Sequence, residues 1–387
     1  MKKILLLIPI IFLLTGCYNY RELNDLAIIS GVAISKDEDN YKITVEVVNP
    51  KKEQDTSSGK EPDYIIYEGT GKSMQEAFRH IVKESPQKLY GAQIDILIID
   101  ENTAKEGLDD ILDFFARDPE VRSEFYVVIS KNDDALKVIS PLVNISSKNI
   151  VNSLEATNTY MGISNLVTYH KLINDFLNPH KEIALPSIEV VGNDDIGESI
   201  ENIETTKPTS SKFISNMTIF KDGKFLGYLT NNESLAYNII TNNTKTYLIR
   251  NKYDNKDFIV NEIIKSSTSI DPNIKKKEIT ITIKGDASIS EVNHKINLES
   301  NKNIKKIENK LNKDIEKLIK ESITSTNTKY NSDIYGFKDL FYKTNPKQYK
   351  KLVKELGDNF LTSLNIKVKS NIRIIEKGNL NGGIYNE

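Results

Sequence analysis

Apolar and polar positions along the chain alternate with two periods, and the switch between them outlines the elements. Leu26 to Ile34 is apolar with Gly31 inside it, the pattern of a buried strand. Tyr41-Lys42-Ile43-Thr44-Val45-Glu46-Val47 repeats with period two, which predicts a half-buried strand ended by Asn49-Pro50. Residues 51–63 are polar and read as a loop. Tyr64 to Gly69 predicts a further strand. It leads into Ser73-Met74-Gln75-Glu76, a capping-box pattern, after which Met74, Ala77, Phe78, Ile81 and Val82 share one helical face. Ile94 to Ile99 is a strongly apolar strand. One helix from about Ala104 is expected to bury Leu108, Ile111, Leu112 and Phe115. Phe125 to Ser130 reads as a strand, Asp133 to Ile139 and Leu166 to Leu177 as helices, and Ser187 to Val191 as an edge strand. Strands alternating with helices predict a mixed α/β sheet.

The pattern breaks over residues 192–212, which are polar and turn-rich, and restarts differently. Phe213 to Phe220 and Phe225 to Leu229 flank Lys221-Asp222-Gly223-Lys224, and Asp-Gly between two strand-like runs is a hairpin signal. Strands follow at Thr244 to Arg250, Phe258 to Ile264 and Glu278 to Lys284. A long helix spans 303–325 with Ile304, Ile307, Leu311, Ile315, Leu318, Ile319 and Ile323 as its apolar stripe. Lysines crowd its other positions, the pattern of a core-facing helix with a solvated side; docking on a membrane surface or partner is the sharper reading. A helix at Lys347 to Leu356 and a strand from Leu364 to Ile375 close the chain. The expected organisation is therefore α+β and multidomain, of two to three domains, with mixed β-sheets flanked by helices. An N-terminal α/β domain covers 26–191, a linker 192–212, and C-terminal α+β structure 213–387.

The start of the chain carries a different signal. Lys2 and Lys3 precede an unbroken apolar run, Ile4 to Leu14, then Leu14-Thr15-Gly16-Cys17. A membrane-spanning helix needs about 20 apolar residues, and this run is shorter. It fits the apolar region of a secretory signal, commonly about 7–15 residues. Small residues before a cysteine are what a lipoprotein signal peptidase accepts, so this segment resembles a lipoprotein signal. The expectation is a signal peptide over 1–16, lipidation of Cys17 by a diacylglyceryl group with acyl chains such as palmitate, and a lipidated tether over 17–25. Two acyl chains hold a protein stably on a bilayer. Cys17 is the single cysteine in the chain, so lipidation leaves no thiol for disulfides, catalysis or metal binding.

Composition narrows the function classes. The 387 residues are 39% hydrophobic and 27% charged with a formal net charge of −2, which fits folded domains and gives nucleic acid no charge-driven hold. The four histidines, His80, His170, His180 and His294, are scattered. His170 and His180 flank a helix end without a third ligand. Zinc-binding motifs, a nucleophile elbow and a phosphate-cradling glycine loop are missing from the sequence. No catalytic residue, metal site or cofactor is expected. Asp109, Asp110 and Asp113 read as solvated acids on a helix.

The order of several short motifs resembles the C subunits of spore germinant receptors, the Ger(x)C lipoproteins of spore-forming Gram-positive bacteria. Cys17-Tyr18-Asn19-Tyr20-Arg21-Glu22-Leu23 is similar to the lipobox cysteine, aromatic residue and Arg-Glu-Leu of that family. Gly31 in its apolar strand, Asn49-Pro50, Glu68-Gly69 and Glu76-Ala77-Phe78 follow in order. So do Phe114-Phe115-Ala116-Arg117-Asp118-Pro119-Glu120-Val121-Arg122, the Asp222-Gly223 hairpin, and Asp333-Ile334-Tyr335-Gly336-Phe337. Gln93 stands where the family usually has histidine, and the family's tryptophans are missing: Tyr18 occupies one position, and Tyr349 and Leu352 lie near another.

The resemblance implies a three-domain α+β protein held on the outer face of the spore inner membrane by its N-terminal diacylglycerol. It also implies assembly with two integral membrane partners, the A and B subunits, and no assigned chemistry. Partner contacts are then expected at the exposed charges Arg21, Glu22, Arg117, Asp118 and Arg122. For Arg117 and Asp118 a helix cap with a local ion pair is the alternative. A solute-binding lipoprotein of a membrane transporter is the other reading of the whole chain, and it predicts two similar lobes around a ligand cleft.

Overall fold

The computed structural model describes residues 25–49, 62–132, 134–140, 146–192, 210–253, 257–293 and 296–378. The expected loop 51–63 lies mostly outside these residues, as do the core of the linker and the whole N-terminal segment with Cys17, Arg21 and Glu22.

The first half opens with β1 (Leu26–Asp37), β2 (Asn40–Val48) and β3 (Tyr64–Gly71), followed by helix α1 (Met74–His80) and the short strand β4 (Lys88–Tyr90). Strand β5 (Ile96–Asp100) leads into α2 (Glu101–Glu106), α3 (Asp109–Arg117) and strand β6 (Tyr126–Ser130). Then come α4 (Ala135–Ile139), α5 (Ser146–Met161), α6 (Tyr169–Phe176) and β7 (Pro186–Gly192). The hairpin β8 (Ser210–Lys221) and β9 (Lys224–Tyr228) joins the same sheet, whose order is β3-β2-β1-β5-β6-β7-β8-β9 with β4 beside β1. β1, β5, β6 and β7 are parallel, and both margins are antiparallel.

The central strands explain themselves. Ile96, Leu97, Ile98 and Ile99 of β5 are all fully buried. Leu97 and Ile99 face one core, with α1, α3 and α6; Ile96 and Ile98 face the other, with α4 and α5. A parallel strand covered on both faces has no polar side to alternate with, which is why this run reads as continuous hydrophobic sequence.

Three expectations change here. The single helix from Ala104 is two helices, because Gly107 turns the chain at φ +136° after Asp100 has capped the first. β7 is an interior strand, bonded to β6 on one side and β8 on the other, although Pro186 marks it as an edge. Val82 is 59% exposed, since the helix tightens into a 3-10 turn at Ile81–Lys83 and rotates it outward.

The second sheet has the order β10 (Tyr247–Lys252), β11 (Phe258–Asn273), β12 (Glu278–Asn293), β13 (Asn365–Glu376), with β13 parallel to β12. Helix α7 (Asn231–Ile240) precedes it, and α8 (Asn301–Tyr330), α9 (Phe337–Thr344) and α10 (Pro346–Leu356) separate β12 from β13. Ile279, Ile281 and Ile283 of β12 pack with Leu311, Ile315, Ile319 and Ile323 of α8 in one core. Each such side chain stabilises the fold by about 1.5–3 kcal/mol when buried. Met217 and Ile219 of β8 belong to this second core, while Phe220 belongs to the first.

Helix α8 also closes a sheet edge. Glu308, Asn312 and Glu316 accept the backbone N–H groups of Ile374, Ile372 and Ser370 at 3.0, 2.8 and 2.9 Å. Four residues of helix rise about 6 Å and two residues of strand about 6.6 Å, so the two rows stay in step.

Candidate functional site

Two charges of the Phe114–Arg122 segment, Arg117 and Asp118, line one cleft. It has a volume of about 670 Å³ and lies between the N-terminus of α1 and one face of α3. Tyr41, Lys72, Asp110, Asp113, Phe114, Arg117 and Asp118 line it. Ser73 fixes its α1 wall by accepting the Glu76 N–H at 3.3 Å, while the Glu76 carboxylate accepts the Lys72 N–H at 2.9 Å. Gly69 lets α1 lie close on β3: a β-carbon there would sit 2.2 Å from the carbonyl oxygen of Ala77.

On the α3 wall, Arg117 Nε donates to Asp113 Oδ2 at 2.7 Å, and both side chains are largely exposed. The guanidinium holds the Asp113 carboxyl below its usual range. Asp110 is not simply solvated. Its Oδ2 accepts the Tyr41 hydroxyl at 2.6 Å, and burial followed by that bond pushes the phenol up. Lys36 reaches over the Tyr41 ring at 5.3 Å and bonds the Glu106 carboxylate.

Asp118 does not pair with Arg117. It receives the Glu120 N–H at 2.9 Å, closing the turn after α3, and Glu120 in turn binds Lys88 at 2.7 Å. Of the three, Asp118 is therefore engaged in the backbone, while Arg117 and Arg122 present exposed side chains. Tyr41 and Lys72 were not singled out by sequence reasoning. Tyr41 belongs to a strand pattern and Lys72 to a turn, and only the packing of α3 against β2 and α1 places them beside Arg117.

Other motif residues are structural. Asn49 Nδ2 donates to the Pro62 carbonyl at 3.0 Å. Asp222 (φ +50°) and Gly223 (φ +74°) form the tight hairpin turn, which needs left-handed backbone at both positions. The Asp333 carboxylate accepts the N–H groups of Phe337 at 3.0 Å and Lys338 at 2.6 Å, capping α9. Tyr349 is buried, its hydroxyl 3.2 Å from His180 Nδ1, and its ring packs edge-on against His180, Tyr342 and Phe360. His170 instead sits 3.1 Å from the Asn174 amide, so the two histidines point to different partners. Among the described residues, no three of His, Cys, Asp and Glu are grouped to hold a metal, and no helix is long and apolar enough to cross a membrane.

Residues 19–190 match the family model for the spore germination protein N-terminal domain. Residues 215–378 match the model for the spore germination B3/GerAC-like C-terminal domain. The chain belongs to the Ger(x)C family. This is the family of germinant-receptor C subunits, which take part in spore germination. Among Ger(x)C relatives in Bacillus subtilis (strain 168), spore germination protein KC is 27% identical over 99% of this chain and 97% of its own length. Spore germination protein B3 of the same organism is 27% identical over 32% of the chain and 33% of its own length. A crystal structure of the GerBC protein superposes with a TM-score of 0.52, covering 89% of this chain and 97% of that one at 18% identity. The Ger(x)C fold is thus a multidomain arrangement of mixed sheets and helices here as well.

Proposed function

We propose that this protein is a lipid-anchored, non-enzymatic subunit of a spore germinant receptor. It is tethered through Cys17 to the outer face of the spore inner membrane and assembles with the integral membrane A and B subunits. The observation that carries this reading is the ordered match of both family models along one chain, preceded by a Met1–Cys17 segment that resembles a lipoprotein signal. In this reading the protein acts by being held beside its partners. Residues 26–191 and 213–387 serve as a body carried on a short tether. The cleft beside Arg117, with Arg122 close in sequence, offers those partners a rim of mixed charge around the half-buried ring of Phe114. Such rims set orientation and association rate more than affinity.

Two measurements test it. Mass spectrometry of the mature N-terminus is expected to find a diacylglyceryl cysteine at Cys17; a retained Met1 or an unmodified thiol overturns the anchor. Detergent pull-down from spore membranes is expected to recover two polytopic proteins. Recovery of the chain alone from intact membranes overturns the assembly. Charge reversal at Arg117 and Arg122 together is expected to weaken that recovery, and unchanged recovery removes these residues from the contact surface.

A further inference from the structure

The row of acceptors that α8 lays along β13 stops before the strand does. Glu308, Asn312 and Glu316 serve Ile374, Ile372 and Ser370. The next position in the row is Lys320, opposite Val368, and an ammonium has donors only. Thr324 follows, and its hydroxyl is turned back to the Lys320 carbonyl at 2.9 Å. The phase of the strand is set at its other margin, where the Asn365 N–H donates to the Lys277 carbonyl at 2.8 Å. Odd-numbered residues therefore bond β12, and the N–H and C=O groups of Ile366 and Val368 point to the open edge. Among the described residues nothing bonds them.

This edge faces a groove of about 940 Å³ between α8 and residues 365–369. Its floor is apolar, formed by the half-buried Ile366 and Val368. Its charge is one-sided. Lys313, Lys317, Lys320, Lys367 and Lys369 line it against two glutamates. Glu316 is already bonded to the Ser370 N–H, and Glu321 lies 3.8 Å from Lys317. Lys367 pairs with Glu278, while Lys313, Lys320 and Lys369 have no acidic partner among the described residues.

We infer that this groove binds an extended acidic segment of a partner protein, which adds as a fifth strand beside β13. The outward N–H and C=O groups of Ile366 and Val368 would supply the backbone ladder, Ile366 and Val368 the apolar contacts, and the lysines the selection for acid. A second copy of the chain is the poorer occupant, because two lysine-lined edges repel when brought together. The inference does not depend on the receptor reading: it concerns the edge and its charge.

The test uses the full chain in detergent and a short fluorescein-labelled peptide of alternating glutamate and valine, with a lysine-valine peptide as its counterpart. Fluorescence anisotropy is expected to show the acidic peptide binding roughly tenfold or more tighter, and more weakly as salt rises. Val368→Pro removes an outward N–H and alters one apolar floor contact while leaving the ladder to β12 intact, a change edge strands tolerate, and is expected to abolish binding with an unchanged circular dichroism spectrum. The double variant Lys320→Glu, Lys369→Glu is expected to reverse the preference between the peptides, which misfolding cannot do. Equal binding of both peptides, or undiminished binding by Val368→Pro, overturns the proposal. A concentration-dependent dimer lost in Val368→Pro places a second copy in the groove and overturns it equally.

Discussion

Glu46 of β2 and Ser147 at the first turn of α5, 101 residues apart, are joined by three hydrogen bonds. The Ser147 hydroxyl donates to Glu46 Oε1 at 2.6 Å, and the Ser147 N–H lies 3.2 Å from both carboxylate oxygens. Ser30 of β1 donates to the same carboxylate at 2.6 Å. Glu46 is fully buried. A buried carboxylate is tolerable here because hydroxyls and a helix N-terminus satisfy it.

Glu46→Ala leaves both Ser147 donors without their acceptor and the Ser30 hydroxyl with only the Glu46 backbone carbonyl, at 3.3 Å. Each orphaned donor costs about 1–3 kcal/mol, so a loss of roughly 3 kcal/mol is expected in urea unfolding. Glu46→Gln is expected to lose less. A midpoint shift for Glu46→Ala no larger than that of an exposed control would remove the node from the account of stability.

Lys212 of β8 bonds the Ser146 hydroxyl beside this node. Burial of its ammonium lowers its pKa to about 7, against a smaller opposing pull from Glu46. The folded chain therefore releases this proton near pH 7 and the unfolded chain near the ordinary lysine value of about 10.4. Between those values the unfolded state binds more protons, so this group's contribution to stability rises with pH. Lys212→Met is expected to be more stable than the parent at pH 6, with the gap narrowing towards pH 10. Parallel stability curves for the two proteins would contradict this.

Asp333 gives a second pH signature of opposite sign. Burial raises its pKa to about 6, although the Lys338 and Phe337 N–H bonds favour its ionised form. The folded state then holds a proton between pH 4 and pH 6 that the unfolded state has lost. This group's contribution is full below the ordinary carboxyl value and is lost as pH rises through 6. Relative to Asp333→Asn, which does not titrate there, the parent is expected to gain stability as pH falls from 7 to 4. A constant difference between them over that range would argue against a raised value. At pH 7, Asp333→Ala is expected to lose about 1–2 kcal/mol through the missing cap.

Asn312 holds β13 by both edges of its amide. Its Oδ1 accepts the Ile372 N–H at 2.8 Å, and its Nδ2 donates to the Ile372 carbonyl at 2.9 Å. Asn312→Ala is expected to speed amide hydrogen exchange at Ile372 by about tenfold or more, the equivalent of about 1.4 kcal/mol of local opening. Exchange at Leu97, in the other sheet, is expected to stay unchanged. Equal acceleration at both sites would mean a global loss rather than a local one.

Periodicity was readable wherever one face of an element met one core. The stripe of α8 is buried at Ile304, Ile307, Leu311, Ile315, Ile319 and Ile323, as its spacing requires. The helix itself runs longer than the stripe suggests, over 30 residues, because its last turns carry Ser322, Thr326 and Asn327 into the interior with hydrogen bonds of their own. α5 was not legible at all. It packs Ile150 and Leu154 into the core among polar residues, too few apolar positions to show as a stripe, and Glu46 holds its N-terminus. α7 escaped for the opposite reason: it is buried from Glu233 to Ile240, so it has no polar face to set a period. Its start, Thr230 with Glu233, is a complete capping box and was the available signal.

The sequence by itself determined most of the succession of strands and helices, α5 and α7 excepted, the apolar run before Cys17, and the ordered motifs that mark the Ger(x)C family. These depend on local spacing, which the chain carries at every position. The tertiary structure alone decided that Tyr41 and Asp110 meet beside Arg117, that Glu46 caps α5, and that α8 protects one part of β13 and leaves Ile366 and Val368 open. Each of these joins groups distant in sequence through hydrogen bonds or charge. Such bonds leave no periodic trace, because one residue on each side suffices to make them.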